Sequence, residues 1–521
     1  MSATNAAAVS ARKVWLGSAL RVLSFMSSTS IVLLLTPFVV HTLGDRSYGL
    51  WALVTTLGSY YALLDLGLSG AVSRHLAGAL GGGNSGECNR IVSTSLAIYL
   101  CLGALVLALS GAIALGGGYF LTNPAELALF RKVILIVGAG TGISIPMRVF
   151  FGLINAHLRF DISAGLEISS VLLRAILTWT ALNSGAGITA LAWINVGGAV
   201  FSFLLSAYWG IRISPGLRLS PHFLTRAVAR KLFSHGSISL VAQLADLLRF
   251  QVDALVVAAF LGVAAVTHYN IAGSMAQYFI SLMIAVTGTL GPLFSRLDGT
   301  GDRVRTAQVF QFSTKIAVAI STSVGFGILA LGRPFIARWM GPSYLDAYPA
   351  MAVLILGATV ALGQTPSLQL LYGISRHGLF AVFNSVEGVA NLVLSIVLVR
   401  HWGMLGVALG TMIPMALTKI FVQPWYLCRI MDFDLGKYYA LLARSFFATV
   451  AALLLPCALI FRFAAADYKV MLALIAASVL LFVPVAFALL FTAPEREFLR
   501  SVLSGFLSHP QASRGVQAVE A

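Results

Sequence analysis

The sequence predicts an all-α polytopic membrane protein with about fourteen transmembrane helices. Two observations carry that expectation. The chain is 59% hydrophobic and only 10% charged, whereas soluble domains carry about a quarter charged residues. Its apolar runs also reach the ~20 residues that cross ~30 Å of hydrocarbon at ~1.5 Å per residue. These runs are continuous rather than alternating, so helices and not barrel strands must satisfy the backbone within the bilayer. No stretch is left for a separate soluble catalytic domain.

The first span covers about residues 16–41, behind Arg12-Lys13, and reads as an uncleaved signal anchor. The next five lie at about 48–70, 91–115, 133–154, 162–182 and 187–211. Six more follow at about 236–261, 264–294, 308–332, 348–372, 378–400 and 404–427, and two close the set at about 438–461 and 469–492. Turn chemistry separates them: Gly81-Gly82-Gly83-Asn84, Asn183-Ser184-Gly185, Asp298-Gly299-Thr300-Gly301 and Gly341-Pro342-Ser343.

The net charge of +16, from 34 Lys and Arg against 18 Asp and Glu, suggests nucleic acid in a soluble protein. Here topology accounts for it. With the N-terminus inside, the 34 basic residues divide into 19 in inner segments, 8 in outer segments and 7 within spans. That asymmetry places both termini in the cytoplasm and calls for no nucleic-acid partner. The longest polar connector, 212–235, holds Arg212, Arg218, Arg226, Arg230 and Lys231. It reads as a basic amphipathic linker against anionic lipid headgroups.

Several chemistries are excluded. Cys88, Cys101, Cys428 and Cys457 have no ligand spacing, the histidines form no HExxH pair, and there is no GxxxxGK[ST] loop. Neither a metal site nor an organic cofactor is expected. Gly138-Ala139-Gly140-Thr141-Gly142 looks like a dinucleotide turn, but it sits inside an apolar span and reads as close helix packing.

The two halves repeat one another. Leu43-Gly44 precedes Tyr48 and a span ending near Ser73-Arg74, while Leu261-Gly262 precedes Tyr269 and a span ending at Ser295-Arg296. Pro146, Gly152 and Glu167 are then matched by Pro366, Gly373 and Glu387. Both Pro-to-Glu separations are 21 residues (167 − 146 and 387 − 366). With six spans per half, this predicts a parallel duplication. The expected domains are an N-lobe (1–211), the linker (212–235), a C-lobe (236–430), two further helices (431–492) and a cytoplasmic tail (493–521).

Certain runs resemble a known family. Leu43-Gly44-Asp45-Arg46-Ser47-Tyr48-Gly49-Leu50-Trp51-Ala52 and Leu64-Asp65-Leu66-Gly67-Leu68 look like the polysaccharide flippases of the multidrug/oligosaccharidyl-lipid/polysaccharide (MATE-like) exporter superfamily. So do Glu387, Asn391-Leu392, Leu394-Ser395-Ile396, Gly403, Gly406-Val407-Ala408 and Gly410-Thr411. The resemblance covers about residues 20–430. It implies two lobes around a central cavity that opens alternately to each side. It also implies an undecaprenyl-diphosphate-linked oligosaccharide as cargo, flipped to the outer leaflet of a bacterial inner membrane and passed to polysaccharide polymerase or export proteins.

Ionisable residues inside spans are costly and therefore mark candidate sites. At ~100° per residue, Asp246, Arg249 and Asp253 share one stripe of span seven. The stripe is either a cavity site for phosphate and a coupling proton or Na+, or a self-neutralised ion-pair set. Glu167 and Arg174 share a face of span five, and Glu387 and Asn391 a face of span eleven, where packing competes with cargo binding. Arg21 lies in span one above Ser24 and Ser28. Arg21 and Arg249 are the first expected diphosphate contacts, because guanidinium forks match phosphate oxygens. Lys315 and Lys419 come next, or else snorkel to the cytoplasmic interface. Asp65 reads as a cap or a partner of Arg74. The rival functions are a MATE-type drug/cation antiporter and a membrane enzyme such as a glycosyltransferase or polymerase. Outer loops of only about 15–18 residues argue against the enzyme.

Overall fold

The structure is a computed structural model. It describes the backbone of residues 3–233, 251–497 and 499, without 66, 67, 120, 122, 158, 377 and 464–466, and side chains from residue 27 onward except 62, 119 and 381. Among the described residues every regular element is helical. In chain order these are α1 (Ala3–Ser59), α2 (Leu68–Gly81), α3 (Ser85–Gly116), α4 (Pro124–Ala156), α5 (Phe160–Asn183) and α6 (Ile188–Arg212). Then come α7 (Val252–Leu261), α8 (Val263–Thr287), α9 (Leu290–Thr300), α10 (Arg303–Trp339), α11 (Ala347–Gly363) and α12 (Thr365–Gly373). The last are α13 (Gly378–Leu417), α14 (Gln423–Met431), α15 (Leu435–Phe463) and α16 (Tyr468–Leu490).

Among the described residues, 9 helices are long and apolar enough to cross a membrane, or 10 when the bent pair α11–α12 counts as one. About fourteen crossings remain compatible, because two of the long helices contain corners. Gly44 (φ 74, ψ 164) breaks α1 between the first two expected spans, and Gly403 (φ 56, ψ −135) breaks α13 between the eleventh and twelfth. Both conformations suit glycine, which has no Cβ to clash.

Two spans run further than expected and are broken midway. The second continues through a 3-10 turn (Tyr60–Asp65) into α2 and stops at Gly81, not near residue 70. The eighth breaks after Thr287 and resumes as α9 to Thr300, not 294. In the first case the Asp65 carboxylate accepts from the Ser69 amide (3.4 Å) and hydroxyl (2.7 Å), so a polar residue inside an apolar run restarts the helix.

The chain gathers into two compact units. The first comprises Met1–Tyr278, Pro349–Leu354 and His377–Thr418. Within it α4 packs closely on α3 and α6 through small residues, as the glycine run predicts. A Cβ on Gly103 would stand 2.6 Å from the Gly142 carbonyl oxygen, one on Gly140 would stand 3.2 Å from Val196, and one on Gly138 would strike Ser110. Leu68, Leu76, Val92, Val106 and Val149 fill the adjoining core. The described part of the 212–235 connector is fixed to α3. Asn89 Oδ1 accepts from the Arg218 amide (2.9 Å), Ser93 Oγ from the Ser220 amide (3.4 Å) and Thr94 Oγ1 from the Thr225 amide (3.3 Å). Leu232 joins the same core, while Arg212, Arg218, Arg226, Arg230 and Lys231 stay exposed.

The second unit comprises Phe279–Tyr348, Ile355–Arg376 and Lys419–Ala521. Here α10 packs on α15 and α16, and Gly325 on α10 meets the Thr359 side chain. The 45° bend between α11 and α12 is held by a buried amide node. Gln364 Nε2 donates to the Lys419 carbonyl (2.5 Å), Gln423 Nε2 donates to the Gln364 carbonyl (3.1 Å), and Tyr438 Oη donates to Gln364 Oε1 (3.4 Å). Such a node replaces backbone bonds lost beside Pro366.

The ordered matches between the halves recur as local geometry. Gly262 (φ 87, ψ 168) nearly copies the backbone of Gly44. Within the first unit a Cβ on Gly152 would lie 3.3 Å from Ser73 Oγ, and within the second a Cβ on Gly373 would lie 3.0 Å from the Ser295 amide nitrogen. The glycine after each span proline thus packs against the serine of each Ser-Arg pair.

Candidate functional site

The corner at Gly403 folds α13 back on itself. Its two arms meet through Gly406, where a Cβ would strike the Leu398 carbonyl, and Gly410, where it would lie 2.6 Å from the Ser395 amide nitrogen. This contact brings Asn391 and Ser395 on one arm beside Val407 and Thr411 on the other. Asp253, in the first turn of α7, and Tyr269, on α8, complete the cluster.

Asp253 is 5% exposed. Its Oδ2 accepts from Tyr269 Oη (2.6 Å) and Thr411 Oγ1 (2.7 Å). The Thr411 oxygen also lies 3.2 Å from Asn391 Oδ1 and 3.3 Å from the Val407 carbonyl oxygen. Ser395 Oγ approaches Asn391 Oδ1 (2.9 Å) and the same carbonyl (3.3 Å). Each hydroxyl has one hydrogen to donate. Thr411 therefore serves one of three acceptors at a time, and Asp253 Oδ1 is buried without a hydrogen-bond partner among the described residues. Asn391 also brings two amide N–H donors; the cluster gathers carboxylate, amide, hydroxyl and carbonyl oxygens around one buried carboxylate, a setting a cation can neutralise. Glu387, 2% exposed, lies one turn before Asn391 on the same helix. Among the described residues no group of three or more His, Cys, Asp and Glu could hold a metal ion. Carboxylate, amide, hydroxyl and carbonyl oxygens suit a hard monovalent cation or a proton instead.

A second buried carboxylate lies at the break in span two. Asp65 Oδ1 accepts from Tyr99 Oη (2.9 Å) and meets Arg148 Nη1 (2.8 Å), while Oδ2 is taken by Ser69. The capping role of Asp65 holds, but its ionic partner is Arg148 and not Arg74. Arg148 descends from α4, 83 residues away in sequence (148 − 65), so no local spacing reveals the pair.

The corner at Gly44 meets the corner at Gly262 within the first unit. Thr267 Oγ1 donates to the Asp45 carbonyl (2.7 Å), Asn270 Nδ2 donates to Tyr48 Oη (3.1 Å), and His268 Nε2 lies 3.5 Å from Asp45 Oδ2. Gly49 lies so close to the Val263 carbonyl that a Cβ would strike it.

The remaining expected residues are spread out. Arg21 lies on α1 with its side chain outside the described residues, and Asp246 and Arg249 also lie outside them. Glu167 is exposed on α5, whereas Arg174 is half-buried, donates from Nε to the Ser170 carbonyl (3.3 Å) and lays its methylenes against Gly198. Lys315 forms an ion pair with Glu495 at 2.9 Å, just past α16, in the second unit. Lys419 is buried there at the Gln364 node. Asp253 and Asn391 are thus brought together, whereas Glu167 and Arg174 lie on α5 and Lys315 and Lys419 belong to the second unit. Tyr269, Thr411 and Ser395 had stood in the sequence only as motif or aromatic residues.

Comparisons with known proteins identify the family and the fold. A family model described as "Polysaccharide biosynthesis protein" matches residues 41–349. The uncharacterized membrane protein EpsK of Bacillus subtilis is 23% identical over 79% of this chain and 82% of its own. A putative O-antigen transporter of Shigella flexneri is 23% identical over 76% of this chain and 94% of its own. Among solved structures, an inward-facing multidrug resistance MATE family transporter of the MOP superfamily superposes with a TM-score of 0.69 at 17% identity, covering 78% of this chain and 96% of its own. The lipid II flippase MurJ in an inward closed conformation gives 0.68 at 15% identity, over 94% of this chain and 99% of its own. The chain therefore shares the helical transporter fold of both.

Proposed function

Because this multi-pass membrane chain belongs to the polysaccharide biosynthesis protein family, we propose that it is a secondary transporter that flips a lipid-linked oligosaccharide between leaflets by alternating access. It carries no enzyme chemistry of its own. The observation that carries the reading is the family match across residues 41–349 on a fold shared with a lipid II flippase.

The finer assignments extend that reading. The cargo is an undecaprenyl-diphosphate-linked glycan, moved from the cytoplasmic to the outer leaflet of a bacterial inner membrane, with both termini cytoplasmic and polymerase or export proteins downstream. The coupling cation, a proton or Na+, is taken by Asp253 with Asn391, Thr411 and the Val407 carbonyl. The convergence of side-chain and carbonyl oxygens on a buried carboxylate there supports that role. Arg21 and Arg249 remain candidate diphosphate contacts. The strap over α3 turns five basic side chains outward with no acidic residue in 212–235, which suits anionic headgroups.

The test is reconstitution in proteoliposomes with a fluorescent undecaprenyl-diphosphate oligosaccharide. Translocation by wild-type protein above protein-free vesicles is expected. Cation-driven efflux of lipophilic drugs without glycan translocation would establish the antiporter instead.

A further inference from the structure

The Asp65–Arg148 pair is unequal, and the inequality points to a ligand. The Asp65 side chain is 8% exposed and that of Arg148 is 35% exposed. Asp65 is already bonded by Tyr99 and twice by Ser69, so its burial does not depend on Arg148 alone. The carboxylate is enclosed and its partner is presented.

The surroundings say what Arg148 faces. At ~100° per residue, Thr141, Ser144, Arg148 and Asn155 fall within about 60° of one another on α4. All four are half-exposed. The Thr141 and Ser144 hydroxyls donate to their own helix, to the Val137 (2.9 Å) and Thr141 (2.8 Å) carbonyls, which leaves their oxygen lone pairs able to accept. Asn155 Oδ1 accepts from Ser163 Oγ (2.9 Å), but hydrocarbon does not solvate a half-exposed guanidinium within a span, so the Arg148 face of α4 meets water or a polar ligand. A guanidinium has five N–H donors in a planar fork, and the contact with Asp65 engages one terminal nitrogen. The fixed fork matches two oxygens of a phosphate.

We propose that Arg148, oriented by buried Asp65, is a contact for the diphosphate of the cargo, and that Asp65 is its positioning residue. This rests on the flippase reading and adds a site that the sequence alone did not suggest. Asp65 cancels the charge of Arg148 when no cargo is bound, so the fork is held in place without attracting every anion. A diphosphate offers two linked groups for bidentate contact, and a neutral prenyl alcohol offers none.

The test uses the purified full-length protein and three soluble probes: farnesyl diphosphate, farnesyl monophosphate and farnesol. Wild type should bind them in that order of affinity. Arg148→Ala should weaken farnesyl diphosphate by about tenfold or more, the scale of one lost charge-assisted bond, and leave farnesol unchanged. Arg148→Lys should keep part of the affinity but narrow the preference for diphosphate over monophosphate. Asp65→Asn combined with Arg148→Gln removes both charges at nearly constant shape. If the double variant melts like wild type yet binds the diphosphate weakly, a purely structural role is excluded. Diphosphate affinity equal to wild type in the double variant, or in Arg148→Lys if the others fail to fold, overturns the site. A wild-type protein that shows no preference for diphosphate over farnesol overturns the flippase reading itself.

Discussion

Replacing Asp253 by asparagine removes one charge from the buried oxygen cluster and changes almost no volume. The site contains Asn391 Oδ1 and the Val407 carbonyl, both within 3.3 Å of Thr411 Oγ1, and the Asp253 carboxylate brings a formal charge to it. Two opposite unit charges about 4 Å apart attract by about 4 kcal/mol at an effective dielectric of about 20. That is nearly three orders of magnitude in affinity. Asp253→Asn should therefore abolish cation dependence of translocation, not merely shift it. Tyr269→Phe is the control. It removes the 2.6 Å donor but keeps the carboxylate, so cation dependence should persist. The assay is glycan translocation in proteoliposomes under imposed Na+ or pH gradients. Thermal stability of the detergent-solubilised protein should rise with the coupling cation in wild type and Tyr269→Phe but not in Asp253→Asn. If Asp253→Asn responds to the cation as wild type does, the coupling assignment is wrong.

Other outcomes follow from the packing. Gly103→Val should lower the thermal midpoint by the equivalent of about 1–3 kcal/mol, because its Cβ would stand 2.6 Å from the Gly142 carbonyl; Gly70→Ala, which meets open space, should be neutral or slightly stabilising. Burial pushes the Glu495 carboxyl up, but Lys315 and the Thr492 amide and hydroxyl outweigh it and hold the carboxyl below its usual 4.5. The contribution is thus present above pH 4.5 and lost as pH falls through the lowered value, so hydrogen exchange just beyond α16 should rise in acid in wild type and be raised at all pH values in Glu495→Gln. Asn89→Ala removes the acceptor for the Arg218 amide, a loss of about 0.5–1.5 kcal/mol. Exchange at Arg218 should speed up several-fold while the global melting midpoint stays nearly constant.

What was legible in the sequence follows the range of the interactions. Corners at Gly44, Gly262 and Gly403 are local demands for an unusual φ, and these glycines fall between the expected spans. The packing of Gly138, Gly140 and Gly142 was readable because small residues at helical spacing have few other uses inside a span. Asp253 and Asn391 stood out as costly polar groups, but their meeting depends on the fold-back of α13 and on Thr411, 158 residues from Asp253. Asp65 was readable as a cap because Ser69 is four residues on. Its ionic partner was misassigned because nearness in sequence favours Arg74, whereas packing of α4 supplies Arg148. The connector holds a contact that the sequence left unread. Its basic composition suggested a linker lying on the membrane, yet side chains of α3 had the acceptors to bind its backbone, and hydropathy does not register that match.

The central claim is lipid-linked glycan flipping, and leaflet-resolved translocation tests it most directly. Inverted and right-side-out proteoliposomes should carry a labelled undecaprenyl-diphosphate oligosaccharide, with outer-leaflet label quenched chemically. Wild-type protein should move label across the bilayer faster than empty vesicles, and removing the diphosphate from the lipid should abolish the difference. Equal rates with and without protein, under every imposed cation gradient, would contradict the account.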